Sequence, residues 1–345
     1  MRKKLHEISL YESLLCMYVI MIHVLSECIS GYTKGTFLSA AAFFVSRSMT
    51  FAVPAFIMSS GIKLMNKFKS ERLEYFGFIA GRIKKIYVPY IVWSIVYYLY
   101  FVFYRHWFDF STGDMLRYLL TGDIAAPFYF IIVIMQFYIL MPLWLLLCRR
   151  VPAAAGVCAA AVLTVLSKYL TRGFEMNAKI FSNYLVFWVL GCYSGMYYDR
   201  AISVLRRYKA AALALGIVFS VIYSAMAYAE FIGIFHSFAT ELVKLIFCMT
   251  AALMYLALMP APERTDAAAA LCRRISARIA PVTFYIYLIH CLVIFEADNI
   301  MSRLGITSIS QRFALRFIAV FPLSAALAML YGKISKRISM RSARS

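Results

Sequence analysis

The sequence predicts an all-α membrane protein with about ten transmembrane helices and both termini in the cytoplasm. Three observations predict it. The 345 residues are 63% apolar and 15% charged, with mean hydropathy +0.76. Soluble domains average about 45–50% apolar and about 25% charged, so most of this chain cannot face water. The apolar residues come in runs of about 20, the length that crosses a bilayer core. The basic residues collect between those runs on one side.

The runs fall at roughly 8–30, 37–65, 86–104, 128–147, 152–170, 181–198, 210–230, 239–259, 279–298 and 311–332. The first follows Arg2, Lys3 and Lys4 as a signal peptide would. It lacks an Ala-x-Ala site and runs into Glu27-Cys28-Ile29-Ser30-Gly31, so it reads as a retained helix. Pro54, Pro89, Pro142, Pro281 and Pro322 lie in or at the ends of spans. Neighbouring helices can satisfy the carbonyls a proline frees. No internal repeat or long polar domain interrupts the series. Residues 1–345 therefore read as a single transmembrane domain, with polar insertions near 66–85, 105–127 and 260–278.

With the N-terminus inside, cytoplasmic segments hold 25 of the 36 lysines and arginines but 7 of the 16 acids. The positive-inside rule selects that orientation. It also accounts for most of the net charge of +20. No nucleic-acid partner is needed, although such a charge in a soluble protein would suggest one. The eight cysteines form no CxxC or CxxH pair, and Cys16, Cys158, Cys192, Cys248 and Cys291 lie in apolar runs. They read as small hydrophobes, and neither a disulfide framework nor a metal site is expected.

Ionisable residues inside spans are costly and become functional candidates. They are Glu12, His23, Arg47, Lys168, Glu241, Lys244, His290, Arg312 and Arg316. Some have plain explanations. Glu241 and Lys244 are i,i+3 and can pair. Arg312 and Arg316 can snorkel or meet Glu296 and Asp298, and Arg47 can pair with Glu27. His23 has a wholly apolar neighbourhood, Val19-Ile20-Met21-Ile22-His23-Val24-Leu25. A structural, hydrogen-bonded imidazole is one reading; a general base is the other. On the inner side, Gly81-Arg82-Ile83-Lys84-Lys85-Ile86-Tyr87-Val88-Pro89-Tyr90 gathers cations at the mouth of the third span. In an α-helix Arg82 and Lys85 share a face. The cluster reads as a topology signal and lipid head-group contact, or as a site for a phosphorylated ligand.

These pieces, in this order, carry a resemblance. The span-1 histidine is followed by Val-Pro-Ala-Phe-Ile-Met-Ser-Ser-Gly at 53–61 and Arg-Ile-Lys-Lys-Ile-Tyr-Val-Pro-Tyr at 82–90. Then come Phe-Tyr-Phe-Ile-Ile-Val-Ile-Met-Gln-Phe-Tyr-Ile-Leu-Met-Pro at 128–142 and Thr-Phe-Tyr-Ile-Tyr-Leu-Ile-His at 283–290. The chain resembles the membrane acyltransferase 3 family, bacterial O-acyltransferases of surface polysaccharides. Within it, the chain is most similar to the intercellular-adhesin polysaccharide O-succinyltransferase-like branch. The resemblance implies that His23 is catalytic and that Arg82, Lys84, Lys85 and Tyr87 hold acyl-CoA, a donor substrate rather than a tightly bound cofactor. Arg47, Glu12, Tyr129, Gln136 and His290 are the candidates for substrate binding, Arg47 at an oxyanion or an acidic acceptor.

It further implies a bacterial inner or plasma membrane location. The partners implied are acyl-CoA, a surface or lipid-linked glycan, membrane lipids and a polysaccharide synthase. The chain departs from the family twice: Glu12 stands where an Arg is usual, and Cys291 where a Pro often follows the histidine. Two other readings stay open: a polysaccharide or lipid-carrier flippase, and an inactive relative that accompanies a synthase.

Overall fold

A computed structural model describes residues 5–260 and 266–342, with side chains through residue 334. The basic cluster at Arg2, Lys3 and Lys4, part of the 260–278 insertion and the extreme C-terminus lie outside the described residues. Seventeen α-helices follow in order: α1 (His6–Val24), α2 (Ser26–Gly31), α3 (Phe37–Ser48), α4 (Ala52–Phe68), α5 (Tyr75–Arg82), α6 (Val88–Leu99), α7 (Thr112–Thr121), α8 (Tyr129–Ile139), α9 (Met141–Arg150), α10 (Ala153–Leu170), α11 (Leu185–Met196), α12 (Tyr198–Arg207), α13 (Lys209–Phe231), α14 (Phe238–Leu258), α15 (Ala267–Ile279), α16 (Thr283–Arg303) and α17 (Ile309–Ser342). No strand occurs among the described residues. The all-α expectation holds.

Among the described residues, eight helical stretches are long and apolar enough to cross a membrane: His6–Gly31, Phe37–Phe68, Tyr75–Tyr104, Ala153–Leu170, Lys209–Phe231, Phe238–Leu258, Ala267–Arg303 and Ile309–Ile334. They match eight of the ten expected runs. A ninth arises if the bent pair Thr112–Thr121 and Ala126–Ile139, which turns by 53°, is one span. The expected 128–147 helix is instead broken at Leu140, just before Pro142, between α8 and α9. The expected 181–198 span contains a 12-residue helix, α11, preceded by two 3-10 turns at Asn177–Lys179 and Phe181–Tyr184.

Polar side chains explain those turns. The amide Nδ2 of Asn183 donates to the Asn177 carbonyl at 2.9 Å, and Ser167 Oγ donates to Asn183 Oδ1 at 2.6 Å. Such side-chain-to-backbone bonds compete with helix formation.

The chain forms two compact units, residues 1–55 with 205–345 and residues 56–204. In the first, α1 is central. It packs against α3, α14, α15, α16 and α17. Ile8, Tyr11, Leu15, Cys16, Val19, Ile20 and Val24 are buried along it at helical spacing. Tyr11 Oη donates to the Ala252 carbonyl of α14 at 2.8 Å. Phe51 and Tyr255 stack face to face at 4.9 Å, with Tyr18 edge-on to both. The second unit is built around α11. A Cβ on Gly191 or Gly195 would collide with the carbonyls of Met58 or Ile62 in α4. The pair is a small-xxx-small spacing that lets two backbones touch.

Candidate active site

The first unit brings two of the sequence candidates together. His23 is in the last turn of α1, beside Val24, and its backbone carbonyl accepts a 2.7 Å hydrogen bond from Ser26 Oγ. His290 sits at the start of the third turn of α16, where every residue from Ile286 to Cys291 is buried. Because α1 packs along α16, the imidazole centroids stand 5.2 Å apart, tilted by 47°. His290 is wholly buried, whereas His23 is half-buried. His23 is thus the less buried residue of the pair.

The tautomer of His290 follows from its contacts. Its Nδ1 is 3.2 Å from the Ile286 carbonyl, and a carbonyl oxygen only accepts. Nδ1 therefore carries the proton, and Nε2 presents its lone pair. Nε2 lies 3.5 Å from Cys291 Sγ, so the thiol donates to it. Cys291 was visible in the sequence as a departure from the family pattern. Its place beside two histidines was not, because His23 and Cys291 are hundreds of residues apart in the chain.

Arg316 Nε donates to Asp298 Oδ1 at 2.6 Å and its Nη2 lies 2.8 Å from Glu27 Oε2. Arg312 Nε lies 2.8 Å from Glu27 Oε1. Asp298 was an expected partner; Glu296 instead accepts from Asn299 at 3.4 Å. Glu27, considered as a partner for Arg47, is thus engaged by two other arginines. Arg47 lies with its guanidinium 4.6 Å over the Phe43 ring. Its buried Nε–H has no hydrogen-bond partner among the described residues. Lys244 and Glu241 pair at 3.3 Å, as their spacing predicts. Glu12 is half-buried on α1, three turns before His23. Eleven residues at about 1.5 Å each separate them by roughly 16 Å.

The second unit holds the remaining candidates. Arg82 ends α5, with its guanidinium 5.1 Å over Phe78 and 5.2 Å over Tyr138. Lys84, Lys85 and Tyr87 belong to a π-helical turn, Ile83–Tyr87. The lysines are exposed. The i→i+5 bonding widens the turn, so the three-residue spacing of Arg82 and Lys85 is no longer the same-face spacing of an α-helix. Such π turns recur at functional sites. Tyr129 begins α8 and is half-buried.

Gln136 has its amide occupied. Nε2 donates to the Lys179 carbonyl at 2.8 Å and Oε1 accepts from Phe181 N–H at 3.2 Å. It holds the 179–181 backbone in place. Sequence reading also passed over Lys179. It is buried and donates to both carboxylate oxygens of Asp123 at 2.6 Å, joining the break between α7 and α8 to the 3-10 turn at Asn177–Lys179.

A family model described as an acyltransferase domain, that of the acyltransferase 3 family, matches residues 6–333. The chain belongs to the acyltransferase 3 family. It is a multi-pass membrane acyltransferase, transferring acyl groups other than amino-acyl groups. No curated protein and no solved structure matches the chain. For an acyltransferase, the useful chemistry of the His23–His290 pair is proton transfer. A neutral imidazole can take a hydroxyl proton as the oxygen attacks an acyl carbon.

Proposed function

We propose that this acyltransferase moves an acetyl or succinyl group from acyl-CoA to a hydroxyl of a cell-surface polysaccharide or its lipid-linked precursor. We place it in the bacterial inner or plasma membrane and in the intercellular-adhesin O-succinyltransferase-like branch. The observation that carries the reading is the half-buried His23 backed by the fully buried His290. In this scheme His23 accepts the proton of the acceptor hydroxyl, the oxygen bonds to the acyl carbon, and the carbon–sulfur bond to CoA breaks. The CoA thiolate then takes up a proton.

Arg82, Lys84 and Lys85 supply charge for the CoA phosphates, Arg as a fork and Lys as point charges, with Tyr87 on the same turn. Arg47, with its free Nε–H, suits the oxyanion or a carboxylate of an acidic acceptor. Glu12 on α1 and Tyr129 on α8 are assigned to substrate binding; Gln136, with its amide occupied by the 179–181 backbone, is not.

The test is mass spectrometry of surface glycans from a deletion strain, the complemented strain and a His23→Ala strain. Loss of an ester mass in the deletion and the variant, with polymer still exported, is the expected result. Full ester content with His23→Ala removes the general-base assignment. Glycan trapped inside the deletion strain would favour a translocation role instead.

A further inference from the structure

Cys291 turns the histidine pair into a three-donor cluster. One ring nitrogen each of His23 and His290 and the sulfur of Cys291 all lie within 4.8 Å of one another. Two features of the cluster point the same way. The first is its chemistry. Thiolate and imidazole together favour Zn²⁺ and other thiophilic transition ions over Mg²⁺ or Ca²⁺, which take oxygen ligands.

The second feature is the hydrogen bond behind His290. A metal-bound histidine nearly always donates its other ring N–H to a carboxylate or carbonyl, which fixes the ring and its tautomer. His290 does so to Ile286, and its Nε2 lone pair faces Cys291. The distances are compatible with a tetrahedral ion. Bonds of about 2.0 Å to nitrogen and about 2.3 Å to sulfur set neighbouring donors roughly 3.3–3.6 Å apart. The His290–Cys291 separation of 3.5 Å meets this directly. The His23 ring has to close by about an ångström, and its partial exposure leaves it room to turn.

We infer that His23, His290 and Cys291 form a binding site for a thiophilic transition-metal ion, Zn²⁺ foremost, linking α1 to α16. On binding, the Cys291 S–H bond breaks, its proton passes to water, and a sulfur–zinc bond forms. Three protein ligands leave a fourth position open to water. One consequence rests on the acyl-transfer reading above. The lone pair of His23 that binds zinc is the one that would accept the hydroxyl proton, so Zn²⁺ is a reversible inhibitor of transfer.

The experiment uses the full-length protein in detergent, stripped with a chelator and titrated with Co²⁺ as a spectroscopic probe. A near-ultraviolet thiolate-to-cobalt band that saturates at one ion per chain is expected. Zn²⁺ should displace it. Cys291→Ser should abolish the band, whereas Cys158→Ser, at an exposed cysteine of the other unit, should keep it. His290→Ala should weaken Zn²⁺ binding by about 100-fold or more, since losing even an outer partner of a ligand costs about 10–100-fold.

No band in the unaltered protein, or a band unchanged by Cys291→Ser, overturns the site. If Cys291→Ser fails to insert, X-ray absorption of the zinc-loaded parent decides. One sulfur at about 2.3 Å with imidazole scattering supports the site, and oxygen-only ligation sinks it. None of these readouts involves acyl transfer, so the metal site and the acyltransferase reading fail separately.

Discussion

His23 and Arg316 lie within spans in two different environments. His23 is half-buried and stands beside one other imidazole. Replacing it with alanine should lower acyl transfer by about 10²–10⁴, the usual worth of general acid–base help, while abundance and CoA affinity stay near those of the parent. Glycan ester content, protein level and CoA binding measured on the same strains check this. A purely structural histidine would instead lower abundance and leave ester on the glycan.

Arg316 is buried and satisfies two carboxylates at once. Arg316→Ala strands Glu27 and Asp298 with less compensation, and removing one partner of a buried pair costs about 3–5 kcal/mol. Lys244→Ala breaks a pair that is over a third exposed and should cost under about 1 kcal/mol. Thermal unfolding of the two variants in the same detergent should show a large loss and a small one; equal losses would contradict the cluster.

Two elements carry predictions of their own. The π turn at Ile83–Tyr87 lifts Lys84 and Lys85 into solvent next to Arg82. Arg82→Ala and Lys85→Ala should each weaken CoA binding by about 1.5–3 kcal/mol, roughly 10- to 100-fold, the worth of a charge-assisted hydrogen bond. Titration of CoA into the folded variants is the check, and unchanged affinity would leave the turn a topology signal. In α11, Gly191→Ala drives a methyl into the Met58 carbonyl. Overpacking of this kind costs about 1–3 kcal/mol. Gly77→Ala in α5 meets nothing within 4 Å and should gain about 0.5–1 kcal/mol from a stiffer helix. Opposite shifts in unfolding temperature distinguish close approach of α4 and α11 from a general intolerance of glycine change.

For the whole molecule, charge predicts an orientation. With 25 of 36 basic residues in the segments assigned to one side, termini included, the 66–85 segment should face the cytoplasm and the 105–127 segment the outside. In a background without the eight native cysteines, Ser111→Cys should react with an impermeant maleimide in intact cells. Ser70→Cys should react only after permeabilisation. The reverse pattern would invert the topology and place the basic turn on the wrong side for cytosolic CoA.

Composition and run length alone settled the class of molecule, because a bilayer demands about 20 apolar residues per crossing and helices satisfy their own backbone. Eight spans and the Glu241–Lys244 pair were legible for the same reason: each depends on residues close in the chain. The ordered motifs carried the family, and His23 stood out because an imidazole in an apolar helix is expensive. What only the tertiary structure decided lies between distant segments. It placed His290 and Cys291 against His23, gave Glu27 to Arg312 and Arg316, occupied Gln136 with the 179–181 backbone, and shortened the 181–198 run to a buried helix. Run-length reading cannot see these, because hydrogen bonds and packing across the fold choose partners by distance in space. In α11, glycines at a four-residue interval mark a helix buried by its neighbours, so it has no need of the length that lipid would require.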